Sequence, residues 1–180
     1  MDAVDEDEPF PALVGEVYVD YAEARIRYVS GIAKDELVTR LHLVALTDAG
    51  DVVVCRSSQG WRFLPGGTRE EGESLVELAR RELREEAGAA LVGDLHFFSA
   101  HEADSDREAP YKPYFPHPRS YWAYAVAHVE ITGEPLNPPD GEEVVEVLAL
   151  PVHEAAEFLR ADDPIHADVV LDAHVRGLLR

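Results

Sequence analysis

Three carboxylates at helical spacing stand out first. In the stretch from Leu64 to Ala89, LPGGTREEGESLVELARRELREEAGA, Glu82, Glu85 and Glu86 stand at i, i+3 and i+4. At roughly 100° per residue they share one arc of a helix surface. The pattern predicts one helix from about Ser74 to Ala87, closed by Gly88, which suits the left-handed position just past a helix end. Val76, Ala79, Leu83 and Ala87 fall on a neighbouring arc and are expected to pack on a sheet. Like charges on one arc repel, by about 0.2–0.5 kcal/mol per pair even when exposed. A hard divalent cation such as Mg2+, which prefers oxygen ligands, would compensate them. Ahead of the helix, Gly66 and Gly67 form a turn whose backbone can approach a metal closely, because glycine removes the side-chain obstruction.

The stretch resembles the Nudix box, G-x5-E-x7-R-E-U-x-E-E-x-G-U, where U is a bulky aliphatic residue. The match runs through Gly67, Glu73, Arg81, Glu82, Leu83, Glu85, Glu86 and Gly88. Ala89 departs from it at the last position, a packing position that carries none of the chemistry. The resemblance implies an α/β fold, a Nudix-like α/β/α sandwich with a mixed β-sheet. It also implies a hydrolase that cleaves a diphosphate linkage in a nucleoside diphosphate joined to a moiety X, by water attack at phosphorus. Mg2+ would be the cofactor, with Mn2+ as a substitute. By the same resemblance Glu82, Glu85 and Glu86 are metal ligands together with the backbone of Gly67, and Arg81 with Glu73 forms an orienting pair, an arginine fork holding carboxylates in place. The general base stays open between a box glutamate and a carboxylate outside the box. Glu142 or Glu143, just before a predicted strand, is a candidate extra metal ligand or else part of a solvated turn. The competing implication is a non-catalytic Nudix-fold domain that binds a nucleotide or serves as a sensor. Such domains usually lose box glutamates, and this chain keeps Glu73, Glu82, Glu85 and Glu86.

The elements that must position these residues follow from pattern. Residues 1–9 are an acidic tail expected to be disordered, and 10–36 an N-terminal extension that either covers the core or pairs with a second subunit. Residues 37–180 are expected to form the Nudix hydrolase domain. Leu37 to Leu46 and Val52 to Cys55 read as strands around the turn Asp48-Ala49-Gly50, and Gln59 to Leu64 as a short strand into the glycine turn. Strands follow at about Leu91 to Phe98, Tyr121 to Val129 and Val144 to Leu148. Helices from Pro151 to about Arg160 and from Pro164 onward close the chain, the second with Ile165, Val169, Leu171, Val175 and Leu178 as its apolar positions.

Residues 99–119 read as a long irregular excursion, a kind of segment that is usually functional when it interrupts a compact domain. Tyr114, Phe115 and Tyr121 are candidates to stack a base, and His117 and Arg119 to contact phosphate or ribose. The alternative is that they pack the loop on the core or form a subunit contact. Arg56, just after a strand, is either a phosphate contact or a surface arginine. The remaining histidines, His42 and His166 among them, have no metal-ligand spacing and read as structural.

Composition bounds the rest. The chain has 180 residues, 46% of them hydrophobic, which suits one well-buried core. Its formal net charge of -20 would repel nucleic-acid backbone and anionic membrane; the small-molecule, nucleotide-type partner is what the Nudix resemblance implies. The single cysteine, Cys55, lies in an apolar run and reads as buried filler. No apolar run suggests a membrane span and no signal-peptide pattern opens the chain, so a cytoplasmic protein is expected, with a homodimer open through residues 10–36.

Overall fold

The computed structural model describes residues 9–180; the expected acidic tail therefore lies outside the described residues except for Pro9, which is exposed. Nine strands are built from these residues: β1 (Glu16–Val19), β2 (Ala24–Ser30), β3 (Val38–Leu46), β4 (Val52–Ser57), β5 (Arg62–Phe63), β6 (Gly66–Thr68), β7 (Ala89–Ser105), β8 (Arg119–Ile131) and β9 (Val144–Leu150). Helix α1 (Leu75–Glu82) continues into a wider π-helical turn at Leu83–Ala87, and α2 (Val152–Arg160) and α3 (Pro164–Val175) end the chain. The strands form one sheet in the order β1-β2-β7-β8-β3-β4-β5, with β6 also on β3 and β9 also on β4. The β3–β8 pair is parallel and the other pairs are antiparallel, so the sheet is mixed.

Period-two alternation makes this sheet the middle layer of a sandwich. Leu41, Leu43 and Ala45 of β3 point to one face with Ala123, Ala125 and Ala127 of β8, and α1 packs there through Leu75, Leu78, Ala79 and Leu83. Val44 and Leu46 point to the other face with Val126, beneath Ala156 and Leu159 of α2 and Val169 and Val170 of α3. The α/β/α sandwich with a mixed sheet is thus the fold observed.

Several local expectations change. Val76 is 39% exposed, and Leu75 and Leu78 take its packing role because α1 lies on the sheet along a slightly rotated face. Val175, the last residue of α3, is likewise exposed. The strand expected at Leu91 to Phe98 is longer at both ends: residues 99–105 continue β7, paired on one side with β2 and on the other with β8. Irregular chain occupies only the stretch from there to Arg119. The β3–β4 hairpin pairs only at Leu46↔Val52, because β4 diverges to pair with β9.

The N-terminal extension joins the sheet as the β1–β2 hairpin. Its ends are fastened to α3: Ala12 N donates to Asp168 Oδ2 at 2.8 Å, the Tyr28 hydroxyl donates to Asp172 Oδ2 at 2.6 Å, and Arg176 Nη2 donates to Ser30 Oγ at 2.7 Å. Asp168 and Asp172 are buried, so their hydrogen bonds carry the cost of removing them from water. No helix among the described residues is long and apolar enough to cross a membrane.

Candidate active site

Helix α1 starts on a capping box. Ser74 Oγ accepts from the backbone N–H of Glu77 at 3.2 Å, and the Glu77 carboxylate accepts from Ser74 N at 2.8 Å. Gly88 ends the helical run at φ 58, and the carbonyls of the last turn receive the loop that follows β8: Leu136 N donates to Arg84 O and Asn137 N to Glu85 O, both at 3.2 Å. Asn137 then bridges both backbone groups of Val144. In this way the segment 138–142 is brought over the C-terminal half of the carboxylate helix.

The carboxylates face the β6 turn. Gly66 N donates to Glu86 Oε2 at 2.9 Å. Arg81 reaches across four groups: Nε and Nη2 donate to Glu73 at 2.7 and 3.1 Å, and Nη1 donates to Glu82 Oε1 at 2.8 Å and to Glu85 Oε2 at 3.4 Å. Its Nη2 also donates to the Thr68 carbonyl at 3.1 Å, tying the helix to β6. The expected fork is present, and it spans three box glutamates.

Burial sets the electrostatics. Desolvation pushes the Glu82 carboxyl up to about 7, against the pull of Arg81, and it raises Glu86 well above the usual carboxylate range with help from the Glu82 charge. Burial would raise Glu73 too, but the Arg81 hydrogen bonds and the backbone N–H of Glu70 hold it below its ordinary value. Two carboxylates therefore resist ionisation while the orienting one does not. The Cys55 thiol is buried, raised by desolvation and 3.5 Å from the Glu86 carbonyl, which makes it core filler as expected.

Around these groups lies a hollow of about 250 Å³ lined by Gly66, Gly67, Glu82, Glu85, Glu86 and Glu142. Among the described residues, no three His, Cys, Asp or Glu side chains already converge as a closed ligand set. What the fold supplies is an open wall of hard oxygen donors whose charges repel, and this donor chemistry fits a hydrated Mg2+, which keeps several waters and takes only one or two carboxylates directly. Glu142, and not Glu143, faces this hollow; the contribution of Glu143 is a backbone carbonyl accepting from Ser58 N at 2.8 Å.

Gly66, Glu86 and Glu142 also line a second, larger cleft of about 620 Å³ on the other side. Its floor is the part of the sheet that α2 and α3 leave uncovered. Arg40 and His42 of β3 stand in register with Trp122 and Tyr124 of β8, and Trp61, Asp163 and His166 form its rim. His42 and His166 lie ring to ring at 4.5 Å, and His166 Nδ1 stands 2.9 Å from Asp163 Oδ2. The histidines read as structural thus face the cleft. Their signal in the sequence was alternation: Arg40 and His42 interleave with the core residues Leu41 and Leu43. Tyr21 from the N-terminal hairpin lines the same cleft and had no local signal.

The other candidates fall elsewhere. Arg56 pairs with Glu146 at 3.0 Å, Arg119 with Asp104 at 2.8 Å, and the Tyr121 hydroxyl donates to Glu102 at 3.0 Å. Tyr114 donates to the Arg69 carbonyl at 3.0 Å and packs edge-on against Phe115. Phe115 and His117 line a smaller cavity adjoining the cleft.

The family model described as NUDIX domain matches residues 38–173. Among solved structures, a pyrophosphohydrolase from Bacillus subtilis, BsRppH, is 15% identical with a TM-score of 0.62; the match covers 93% of this chain and 100% of that one. A NUDIX hydrolase from Nitrosomonas europaea is 14% identical with a TM-score of 0.54, covering 77% of this chain and 90% of that one. No curated protein matches the sequence.

Proposed function

The chain belongs to the NUDIX family, and from that premise we propose that it hydrolyses the diphosphate linkage of a nucleoside diphosphate joined to a further moiety, using a divalent cation. The observation that carries this reading is the wall of Glu82, Glu85 and Glu86, held by the Arg81 fork and the Gly66 amide, on a hollow that opens into a cleft large enough for a nucleotide.

Glu82, Glu85, Glu86 and the Gly67 backbone would hold the cation, Mg2+ or Mn2+ in its place, with Glu142 within reach across the hollow. When bound, it supplies neutralisation of phosphate charge and acidification of water. The chain's own part is positioning. Arg81 fixes the carboxylates so that no reorganisation is needed as charge develops at phosphorus. The half-buried Glu86 lines both the hollow and the cleft and is the natural acceptor for the proton of the attacking water. The cleft floor receives the nucleoside side of the substrate.

A panel of nucleotides, sugar nucleotides and dinucleoside polyphosphates incubated with Mg2+, with products identified by 31P NMR, tests this reading. Cleavage between two phosphoryl groups is expected. A chain that binds members of the panel and turns over none would favour the binding-only alternative.

A further inference from the structure

Beside the cleft, and sharing Tyr21, Arg40 and Trp122 with it, lies a smaller cavity of about 110 Å³. It is enclosed by three separate pieces of chain: the N-terminal hairpin through Tyr21, the sheet through Arg40 and Ser120, and the loop after β7 through Arg107 and His117. In a chain of net charge -20, no Asp or Glu side chain among the described residues lines it.

Its cations are set for a ligand. The Arg40 guanidinium lies 4.4 Å over the Trp122 ring, donates to the Tyr21 hydroxyl at 3.1 Å, and has no carboxylate within 4.0 Å among the described residues. A guanidinium laid on an aromatic face loses little further freedom when its remaining N–H groups take an anion. Arg107 enters from the opposite wall, 5.4 Å from the Tyr111 ring centre. Its Nε is buried, 3.3 Å from Glu23 Oε2 yet without a hydrogen-bond partner among the described residues. Ser105, Ser120 and Thr39 also line it.

Size and place narrow the ligand. The cavity has room for several waters and so admits a tetrahedral oxyanion. Arg40 is two residues along β3 from His42, which is in register with Gly66 of the glycine turn. That offset is about 7 Å at the rise of a strand, which places the cavity a short step along the sheet from the glycine turn.

We propose that Arg40 and Arg107 form a distal anion subsite, so that the preferred substrate carries a phosphate monoester on its nucleoside portion besides the diphosphate that is cleaved. The inference rests on the diphosphate-hydrolase reading for its substrate, but its site can be tested without turnover. The N-terminal hairpin then acts as a specificity element, because without Tyr21 the subsite has no third wall.

Two measurements decide it. In Trp61→Phe protein, which leaves Trp122 as the sole indole, inorganic phosphate is titrated in the presence of EDTA at constant ionic strength while fluorescence is followed. A saturable change that is weakened at least tenfold in both Arg40→Gln and Arg107→Gln, each checked for an unchanged melting profile, is expected. A linear response, or a saturable one that both variants leave at wild-type strength, overturns the subsite. The second measurement compares kcat/KM with Mg2+ for a dinucleotide and its ribose 2′- or 3′-phosphorylated counterpart. Wild type should prefer a phosphorylated member by at least tenfold, and the ratio should fall to near one in either variant. Equal rates on all members overturn the proposal while leaving the hydrolase reading intact. Saturable phosphate binding in a protein that cleaves no diphosphate keeps the subsite and removes the hydrolase reading.

Discussion

The Glu82 carboxylate rests directly against the backbone of Gly67: a β-carbon placed on Gly67 would overlap Glu82 Oε1 and come within 2.8 Å of its Cδ. Glycine is required there because the box carboxylate, and not the core, fills the space. At Gly66 the obstruction is different, since a β-carbon would overlap the Leu41 carbonyl and fall 2.6 Å from His42 Cα. Gly67→Ala is therefore expected to displace Glu82 and lower kcat by about a hundredfold, the scale of one lost preorganised group, with a modest change in melting temperature. Gly66→Ala should unfold the β3–β6 pairing and lower stability by several degrees. Circular dichroism melts alongside turnover separate the two, and equal melting losses in both variants would contradict the assignment.

Adding Mg2+ or Mn2+ should raise the melting temperature by mass action, because a cation bound only by the folded chain offsets the repulsion along Glu82, Glu85 and Glu86. EDTA should abolish turnover. Undiminished activity after exhaustive chelation would remove the cation from the account.

Stability should depend on pH through His101. Burial, reinforced by the His166 charge and opposed by Asp163, lowers this imidazole to about 4, and its Nδ1 lies 2.9 Å from the Tyr124 hydroxyl. A depressed imidazole is neutral when folded and protonates more readily when unfolded, so its contribution is complete above about 6.5 and is lost as pH falls from there toward about 4. The loss is of order 3 kcal/mol at most. His101→Gln should flatten the denaturant-midpoint profile across that window; an unchanged profile would show that His101 is not its source.

The box helix could be read directly because its logic is local: i, i+3 and i+4 spacing and a terminal glycine decide which side chains share a face. The cleft could not. Tyr21, Arg40, Trp122 and His166 come from four distant pieces of chain, brought together by the β2–β7, β7–β8 and parallel β3–β8 registers and by the packing of α3 on the sheet. Even within the helix, burial was hidden. Glu82 is 7% exposed although its position on the carboxylate arc suggested solvent, because the glycine turn folds back over it. The aromatic excursion is shorter than its composition suggests: its first seven residues are strand, and the Tyr114 hydroxyl donates to the Arg69 carbonyl.

That placement redirects the search for a base-stacking platform. Trp61 lines the cleft with Glu86 and is 55% exposed, whereas the Trp122 face is already occupied by Arg40. Trp61→Ala should weaken base-containing substrates by about 1–3 kcal/mol, mainly in KM. Tyr114→Ala should leave KM nearly unchanged. The reverse ranking would return specificity to the excursion.

In the proposed reaction water attacks a phosphorus held against the Glu86 wall. The direct measurement is hydrolysis of the best diphosphate substrate in 18O-enriched water with Mg2+, using wild type and Glu86→Gln, with mass spectrometry of both phosphoryl products. One 18O is expected in a single phosphoryl product of the wild type, with at least about a hundredfold slower labelling by a Glu86→Gln protein that remains folded. Label in neither phosphoryl product, or labelling by Glu86→Gln at the wild-type rate, would contradict it.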